Sequence, residues 1–436
     1  MAHAAPFAGI HYNPEKVSIG AVVGPPYDVL SPAQQDALYA QDPHNFVRIM
    51  LNKDQDGDSE GADRYTRAAA FLNSWLAEGV LQQDAEPAFY EYAQSFEHPL
   101  IPGKIVWRTT VFVALKLEPY ENGVVLPHEE THPKAKADRL LLMRATTANP
   151  EPIYGLYEDP ENAVSAALKA GREGTDPILK AVFDGRTTAG SEQHLIYKHT
   201  SPEVIAAVQA HLGSRRVWIA DGHHRYETAL NYQREKAASG EAPGCDALLI
   251  GLSAFEDPGL IVLPTHRLVK GISEENLASL PALLEPYFTV ESVSIPALRE
   301  WIKVQDSDIR RFGIVLNGTG LALTLKDLAL AESELDQSHC AAWRALDVTI
   351  LQGFVLDKAL GISWQDLAHT PNVAYTRDEE EAVQKVVTGE FQLSCLLQNP
   401  TVTEVRDVAS AGDKMPQKST FFYPKLWSGL VIRSLK

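Results

Sequence analysis

The run Arg215-Arg216-Val217-Trp218-Ile219 is apolar and β-prone at its centre. It gives way at Ala220-Asp221-Gly222-His223-His224-Arg225 to Tyr226–Lys236, a stretch with neither glycine nor proline. That order predicts a strand, a tight turn and a helix. Gly222 supplies the backbone freedom for the bend. A helix N-terminus carries unpaired N–H groups and the positive end of a dipole. Polar residues at such a junction can simply cap the helix. Two imidazoles and a guanidinium side by side go further and make an anion cradle, with phosphate as its natural guest. Gly222, His223, His224 and Arg225 are therefore the expected nucleotide- or phosphate-binding residues. An acid beside a phosphate site binds Mg²⁺ or takes a proton, which are the roles expected of Asp221.

Bulk properties narrow the classes. At 436 residues the chain exceeds one ordinary compact domain. The expected layout is an N-terminal α+β lobe over 1–120, a phosphate-binding domain over 121–270 and a C-terminal α/β lobe with a docked tail over 271–436. A net charge of −18 disfavours nucleic acid and anionic membranes as partners. Cys245, Cys340 and Cys395 are far apart, in no metal-ligand spacing, which fits a reducing cytoplasm. The N-terminal residues do not read as a signal peptide, and no apolar run reaches the roughly 20 residues of a membrane helix. The expectation is a cytoplasmic protein. A homodimer is compatible with the sequence, which does not define the oligomeric state.

Further along the chain, Gly24-Pro25-Pro26-Tyr27-Asp28 forms a stiff loop that can present Tyr27 and Asp28 to a pocket. Ser31-Pro32 then starts a helix. Asp42–Leu51 reads as a turn running into a short strand that contains Arg48. Ala88–Phe96 and Ile105–Leu117 read as an antiparallel hairpin. In His128-Glu129-Glu130-Thr131-His132-Pro133-Lys134-Ala135-Lys136-Ala137-Asp138-Arg139, acids, imidazoles and bases alternate tightly. Such alternation suits a place where a hydroxyl is deprotonated beside phosphate charge. Pro133 directly after His132 argues against a helical two-His metal face. Thr265, His266 and Arg267 are expected at a strand end. The segment Met415–Leu426, with Lys418 and Lys425, reads as docked rather than free.

These motifs together resemble a widespread prokaryotic family catalogued as domain of unknown function 1015. They are Pro-Pro-Tyr-Asp-Val at 25–29, His-Glu-Glu-Thr at 128–131, Ala-Asp-Gly-His-His-Arg-Tyr-Glu-Thr-Ala-Leu at 220–230, Pro-Thr-His-Arg-Leu at 264–268 and Met-Pro-Gln-Lys-Ser-Thr-Phe-Phe-Tyr-Pro-Lys at 415–425. Residues 124–235 are also similar to the ParB/sulfiredoxin superfamily, closest in motif to its free-serine kinases. That similarity implies a mixed α/β fold with a ParB/sulfiredoxin-like central domain, and a nucleotide at the Gly222–Arg225 turn. The absence of cysteine from the turn excludes sulfiredoxin's thiol chemistry there. It also implies a glutamate from the upstream loop as base on the serine hydroxyl. Glu129 matches by position, with Glu130 second.

The resulting expectation is a phosphotransferase working between a purine nucleotide (ADP or ATP, with Mg²⁺) and serine, phosphoserine or a similar small metabolite. Glu129, Asp221 and His223 form the expected catalytic set, with Asp221 the metal ligand. Lys134, Lys136 and Arg139 would neutralise phosphate, since phosphoryl transfer is largely positioning and electrostatics. Tyr27, Asp28, Arg48, His128, Thr131, Arg267 and Lys418 are the candidates for holding the substrate. Two alternatives carry different chemistry: a ParB-like nucleotide-gated regulator, and a metal enzyme using His128, His132, His223 and His224.

Overall fold

The computed structural model describes residues 2–131, 133–184, 191–240, 244–306, 309–364 and 370–436. His132 lies outside them. The chain folds into two compact units. Met1–Ile261 joins Pro424–Lys436 in the first, and Val262–Tyr423 forms the second. Where three lobes were expected, residues 1–120 and 121–261 contribute strands to one sheet.

Among the described residues of the first unit, nine strands form its main sheet. The order is Val125–Leu126, Val217–Asp221, Ile153–Tyr157, Ala247–Ala254, Ile105–Lys116, Phe89–Glu97, Glu192–His199 and Leu179–Phe183, with Ala4–Ala5 pairing to Ile105–Lys116. The sheet is mixed. Val217–Asp221 runs parallel to Val125–Leu126 and antiparallel to Ile153–Tyr157, which is parallel to Ala247–Ala254. The expected hairpin is its long central pair, with Tyr90 opposite Phe112 and Gln94 opposite Arg108. Buried Ile153, Val217, Ile219, Ile250 and Tyr226 belong to one apolar core. Gly155 leaves room for this packing, since a Cβ there would come within 2.8 Å of Ile250 Cδ1.

The helices start where local chemistry says they should. Ser31 and Gln34 form a capping box for Pro32–Gln41, and Asp63 with Thr66 does the same for Arg64–Ala77. The expected strand around Arg48 is instead a helical turn, Val47–Met50. The Asn45 side chain accepts the Val47 N–H at 3.0 Å, a local cap that outweighs the β-propensity of Val47 and Ile49. A second sheet in this unit joins Leu81–Gln83, Gly9–Tyr12, Ile432–Ser434 and Ala148–Asn149. The last strand of the chain thus lies beside one of the first.

The second unit is a six-stranded antiparallel sheet, in the order Phe288–Val293, Thr319–Leu325, Arg311–Leu316, Leu393–Leu397, His266–Val269 and Val373–Thr376. Apolar clusters pack on both faces, one around Phe288, Phe312 and Phe354, the other around Leu268, Leu298 and Val383. One helix of this unit begins as α at Asp347–Ile350 and widens to a π-helix over Leu351–Ala359. Mixed α/β architecture was expected and is observed. No described helix is long and apolar enough to cross a membrane.

Candidate active site

The site grows from the end of Val217–Asp221. Ile219 pairs with Gly155 and Asp221 with Tyr154, so two steps on one strand match one on the other. This irregularity re-aims the strand just before it ends. Gly222 follows at φ +94°, in the left-handed region. A Cβ there would also stand 2.9 Å from Ile153 Cγ2. Both backbone and space therefore demand glycine. The 17-residue helix His223–Ser239 begins at once, and Gly222 brings it no capping side chain. The helix ends as its sequence suggests, at Gly240 in the left-handed conformation.

Glu129 arrives from the loop after Val125–Leu126. Its carboxylate lies 3.7 Å from His223 Nδ1 and 3.8 Å from His128 Nε2. The two rings meet edge to face, with centroids 4.7 Å apart. Hydrogen bonds assign their protons. His128 Nδ1 lies 2.7 Å from the Ile219 carbonyl, so Nδ1 donates. The His128 N–H donates to His223 Nε2 at 3.2 Å, so a neutral His223 carries its proton on Nδ1, towards Glu129. Burial pushes the His128 pKa down against the raising influence of Glu129, keeping the ring neutral. Glu129 keeps 35% of its side chain exposed, open to a ligand, while His128 and His223 are buried.

Asp221 is held from two sides. Arg225 Nη2 donates to Oδ2 at 3.0 Å, and Lys425 Nζ contacts Oδ1. Burial would raise this carboxyl, but Lys425 and Arg225 outweigh it and hold the pKa below the usual carboxylate range. Arg225 also donates to the Pro152 carbonyl at 2.6 Å. Asp28 is raised, first by the protein crowded around it and then by the negative charge of Asp221. Its surface is nevertheless exposed, so it lies at the rim of the site. Tyr27 lies beneath Arg139, whose guanidinium carbon is 3.9 Å from the ring centre. Burial pushes the Tyr27 phenol up to about 12, so it stays protonated.

Three partners were not evident from the motifs. Glu151 is 5% exposed, accepts from Ser428 Oγ at 2.7 Å, and lies 3.4 Å from both Arg139 Nη1 and the Tyr27 amide. Glu227 accepts from Thr131 Oγ1 at 2.7 Å and Lys136 Nζ at 2.8 Å. Lys425 comes from the segment after the second unit. Its place in the docked tail was legible, but its pairing with Asp221 was not.

The expected residues divide accordingly. His128, Glu129 and His223 form one group of contacts and Asp221 with Arg225 another around Gly222, while Asp28 feels the charge of Asp221 and the Tyr27 ring centre lies 5.9 Å from the Arg225 guanidinium carbon. His224 follows on the first turn of the helix, with its carbonyl accepting Thr228 Oγ1 at 2.7 Å. Lys134 is exposed on the first turn of Pro133–Thr146. Thr131 and Lys136 are tied to Glu227. Arg139 is buried, with its donors on Asp138, the Met50 carbonyl and Glu151. It supports Tyr27 rather than facing outward. Arg48 stacks on Tyr39 at 4.4 Å and donates to the Tyr39 carbonyl, apart from the turn. Arg267 and Lys418 belong to the second unit, where Arg267 Nη2 donates to the Lys418 carbonyl at 3.3 Å. Burial brings the Arg267 pKa down to about 10.

No cluster of three His, Cys, Asp or Glu side chains among the described residues can hold a metal alone. A Mg²⁺ ion shared with ligand phosphates needs only one or two carboxylates. Asp28 and Asp221 are the pair that interacts across this site.

No curated protein matches the chain. Several solved structures bear a low likeness. A conserved hypothetical protein from Pyrococcus furiosus is 15% identical, over 75% of this chain and 95% of its own, with a TM-score of 0.33. A free serine kinase in complex with AMP is 14% identical over 74% and 89%, with a TM-score of 0.32. SbnI with C-terminal truncation from Staphylococcus aureus is 11% identical over 72% and 85%, at 0.34. Scores of this size do not establish a shared fold. The family profile described as protein of unknown function (DUF1015) matches residues 4–349, most of the chain. The protein is therefore a member of the DUF1015 family.

Proposed function

We propose that this protein is a phosphotransferase moving a phosphoryl group between a purine nucleotide and the hydroxyl of serine or a similar small metabolite. One observation carries the reading. A partly exposed carboxylate, Glu129, stands 3.7 Å from the first residue of a helix that starts on a Gly-His-His-Arg turn, where Gly222 brings no capping side chain. Base and phosphate cradle then serve one spot, as phosphoryl transfer requires. The turn resembles that of free-serine kinases, and the reading includes a ParB/sulfiredoxin-like centre around it.

In this scheme the N–H groups of the Gly222–Arg225 turn, with His224, orient the nucleotide phosphates. Glu129 takes the proton from the acceptor hydroxyl. In reverse it returns a proton to the leaving oxygen. His223 presents Nδ1–H towards Glu129 across 3.7 Å and would orient that carboxylate when the contact tightens on ligand binding. His128 anchors the loop to the Ile219 carbonyl and sets the His223 tautomer. Lys134 lends positive charge at the rim. Tyr27 and Asp28 bound the side where a small substrate enters. Mg²⁺, held by Asp221 and Asp28 together with the phosphates, would supply charge neutralisation. The site's physics allows either direction, phosphorylation of serine or dephosphorylation of phosphoserine.

The test incubates the protein with Mg²⁺, either serine or phosphoserine, and each of ATP, ADP and AMP, following products by phosphorus NMR. Transfer in at least one combination is expected. No transfer in any of them overturns the assignment of this substrate class.

A further inference from the structure

The segment Pro424–Lys436 works as a strap on the first unit. Gly24 and Ser428 exchange backbone hydrogen bonds at 2.8 and 3.3 Å, and Ser428 Oγ donates to Glu151. The Trp427 ring lies 4.0 Å from that of His194 and 4.9 Å from that of Phe183. Leu426 fills the space left by Gly251, where a Cβ would come within 2.7 Å of its Cδ1. Gly251 is paired with Tyr154, and Tyr154 with Asp221, so the strap crosses the sheet face that carries Asp221. Beyond it, Ile432–Ser434 is locked between Gly9–Tyr12 and Ala148–Asn149.

This braced strap delivers one long cation to the site. Lys425 Nζ contacts Asp221 Oδ1, with only 13% and 18% of the two side chains exposed. The other cation on Asp221, Arg225, is fastened to the Pro152 carbonyl as well. A planar fork pinned at two points cannot follow a ligand, whereas an ammonium on a flexible four-carbon stem can. The neighbourhood is otherwise rich in acid. Asp28, Glu129 and Asp221 would all oppose an incoming polyphosphate.

Resting on the phosphotransferase reading, we infer that Lys425 is a phosphate-binding residue of the site. When a nucleotide fills the Gly222 turn, the ammonium moves from Asp221 Oδ1 to a phosphate oxygen, and Arg225 keeps Asp221 in place. The charge-assisted bond to Asp221 Oδ1 is exchanged for one to a phosphate oxygen. A lysine that merely neutralised Asp221 would no longer matter to ADP once Asp221 is Asn, whereas a phosphate-binding lysine would, so Lys425→Met is also compared in an Asp221→Asn background.

The test compares ADP with adenosine by ligand-observed NMR titration of the full chain, for wild type, Lys425→Met, Lys425→Gln and Lys425→Arg. Lys425→Met is expected to lose about 10- to 100-fold in ADP affinity, with adenosine affinity unchanged within about twofold. Lys425→Arg should recover most of the ADP binding. If Lys425→Met does not fold, Lys425→Gln keeps a hydrogen bond to Asp221 and takes its place in the comparison. An equal loss for ADP and adenosine, or no loss for either, overturns the inference while wild-type ADP binding leaves the nucleotide reading standing. A wild-type protein that binds neither ADP nor ATP removes both.

Discussion

Glu129 Oε2 and His223 Nδ1 stand 3.7 Å apart, although 94 positions separate them in the chain. The gap is too long for a direct hydrogen bond and suits a contact that tightens when a ligand arrives. Glu129→Gln removes the proton acceptor of the proposed mechanism and preserves shape. Its kcat is expected to fall by about 100- to 10,000-fold, with nucleotide affinity within a few-fold of wild type. Steady-state kinetics beside a binding titration separates the two, and an undiminished kcat would remove Glu129 from the chemistry.

Gly222→Ala places a Cβ against Ile153 and forces a left-handed alanine. The backbone term alone costs about 1–2 kcal/mol. Stability to urea should drop by at least that much. Nucleotide binding should weaken as well, because the turn cannot keep its shape.

Glu151 is the buried acid on which the Tyr27 loop, Arg139 and the strap converge. Truncation to alanine leaves Arg139 and Ser428 short of a partner, and a loss of about 3 kcal/mol in urea unfolding is expected. Glu151→Gln, which still accepts hydrogen bonds, should lose less. Equal stability of Glu151→Ala and wild type would show that the convergence contributes nothing.

The two aspartates of the site should push the pH dependence of stability in opposite directions. Asp221 has a lowered folded pKa. The unfolded chain therefore binds its proton first, and the contribution of Asp221 is lost as pH falls below about 4. Asp28 has a raised folded pKa and costs stability at neutral pH. Asp28→Asn should accordingly raise the melting temperature at pH 7, an advantage that disappears by about pH 4. Melting curves of both Asn variants from pH 3 to 8 check the signs.

How far these features could be read from the sequence depended on distance along the chain. The strand, Gly222 and the helix were legible because one short segment contains the apolar run, the bend and the helix formers. The helix start at Ser31-Pro32 was legible for the same reason, and the structure adds Gln34 to complete a capping box. Glu129 was reached through a motif resemblance, not through periodicity. Arg139 and Lys136 looked alike as charges beside a phosphate site, yet one is buried under Tyr27 and the other tied to Glu227. Only the three-dimensional positions of Met50, Glu151 and Glu227 separate them. Arg48 was misread as part of a strand because Val47 and Ile49 suggest one, while the Asn45 cap two residues earlier decides for a helix. Lys425 is 204 residues from Asp221, and no local pattern announces that pairing.

The bridge between Gly24 and Ser428 joins an early loop to a late strap across the insertion of the whole second unit. During synthesis, everything the Gly222 turn needs except Lys425 emerges well before position 425. Until the strap emerges and closes on Gly24, a nascent chain holds Asp221 with Arg225 alone. Under the phosphotransferase proposal, a chain truncated anywhere in the second unit should therefore lack both Lys425 and the Gly24 bridge, and should bind nucleotide more weakly than the full chain.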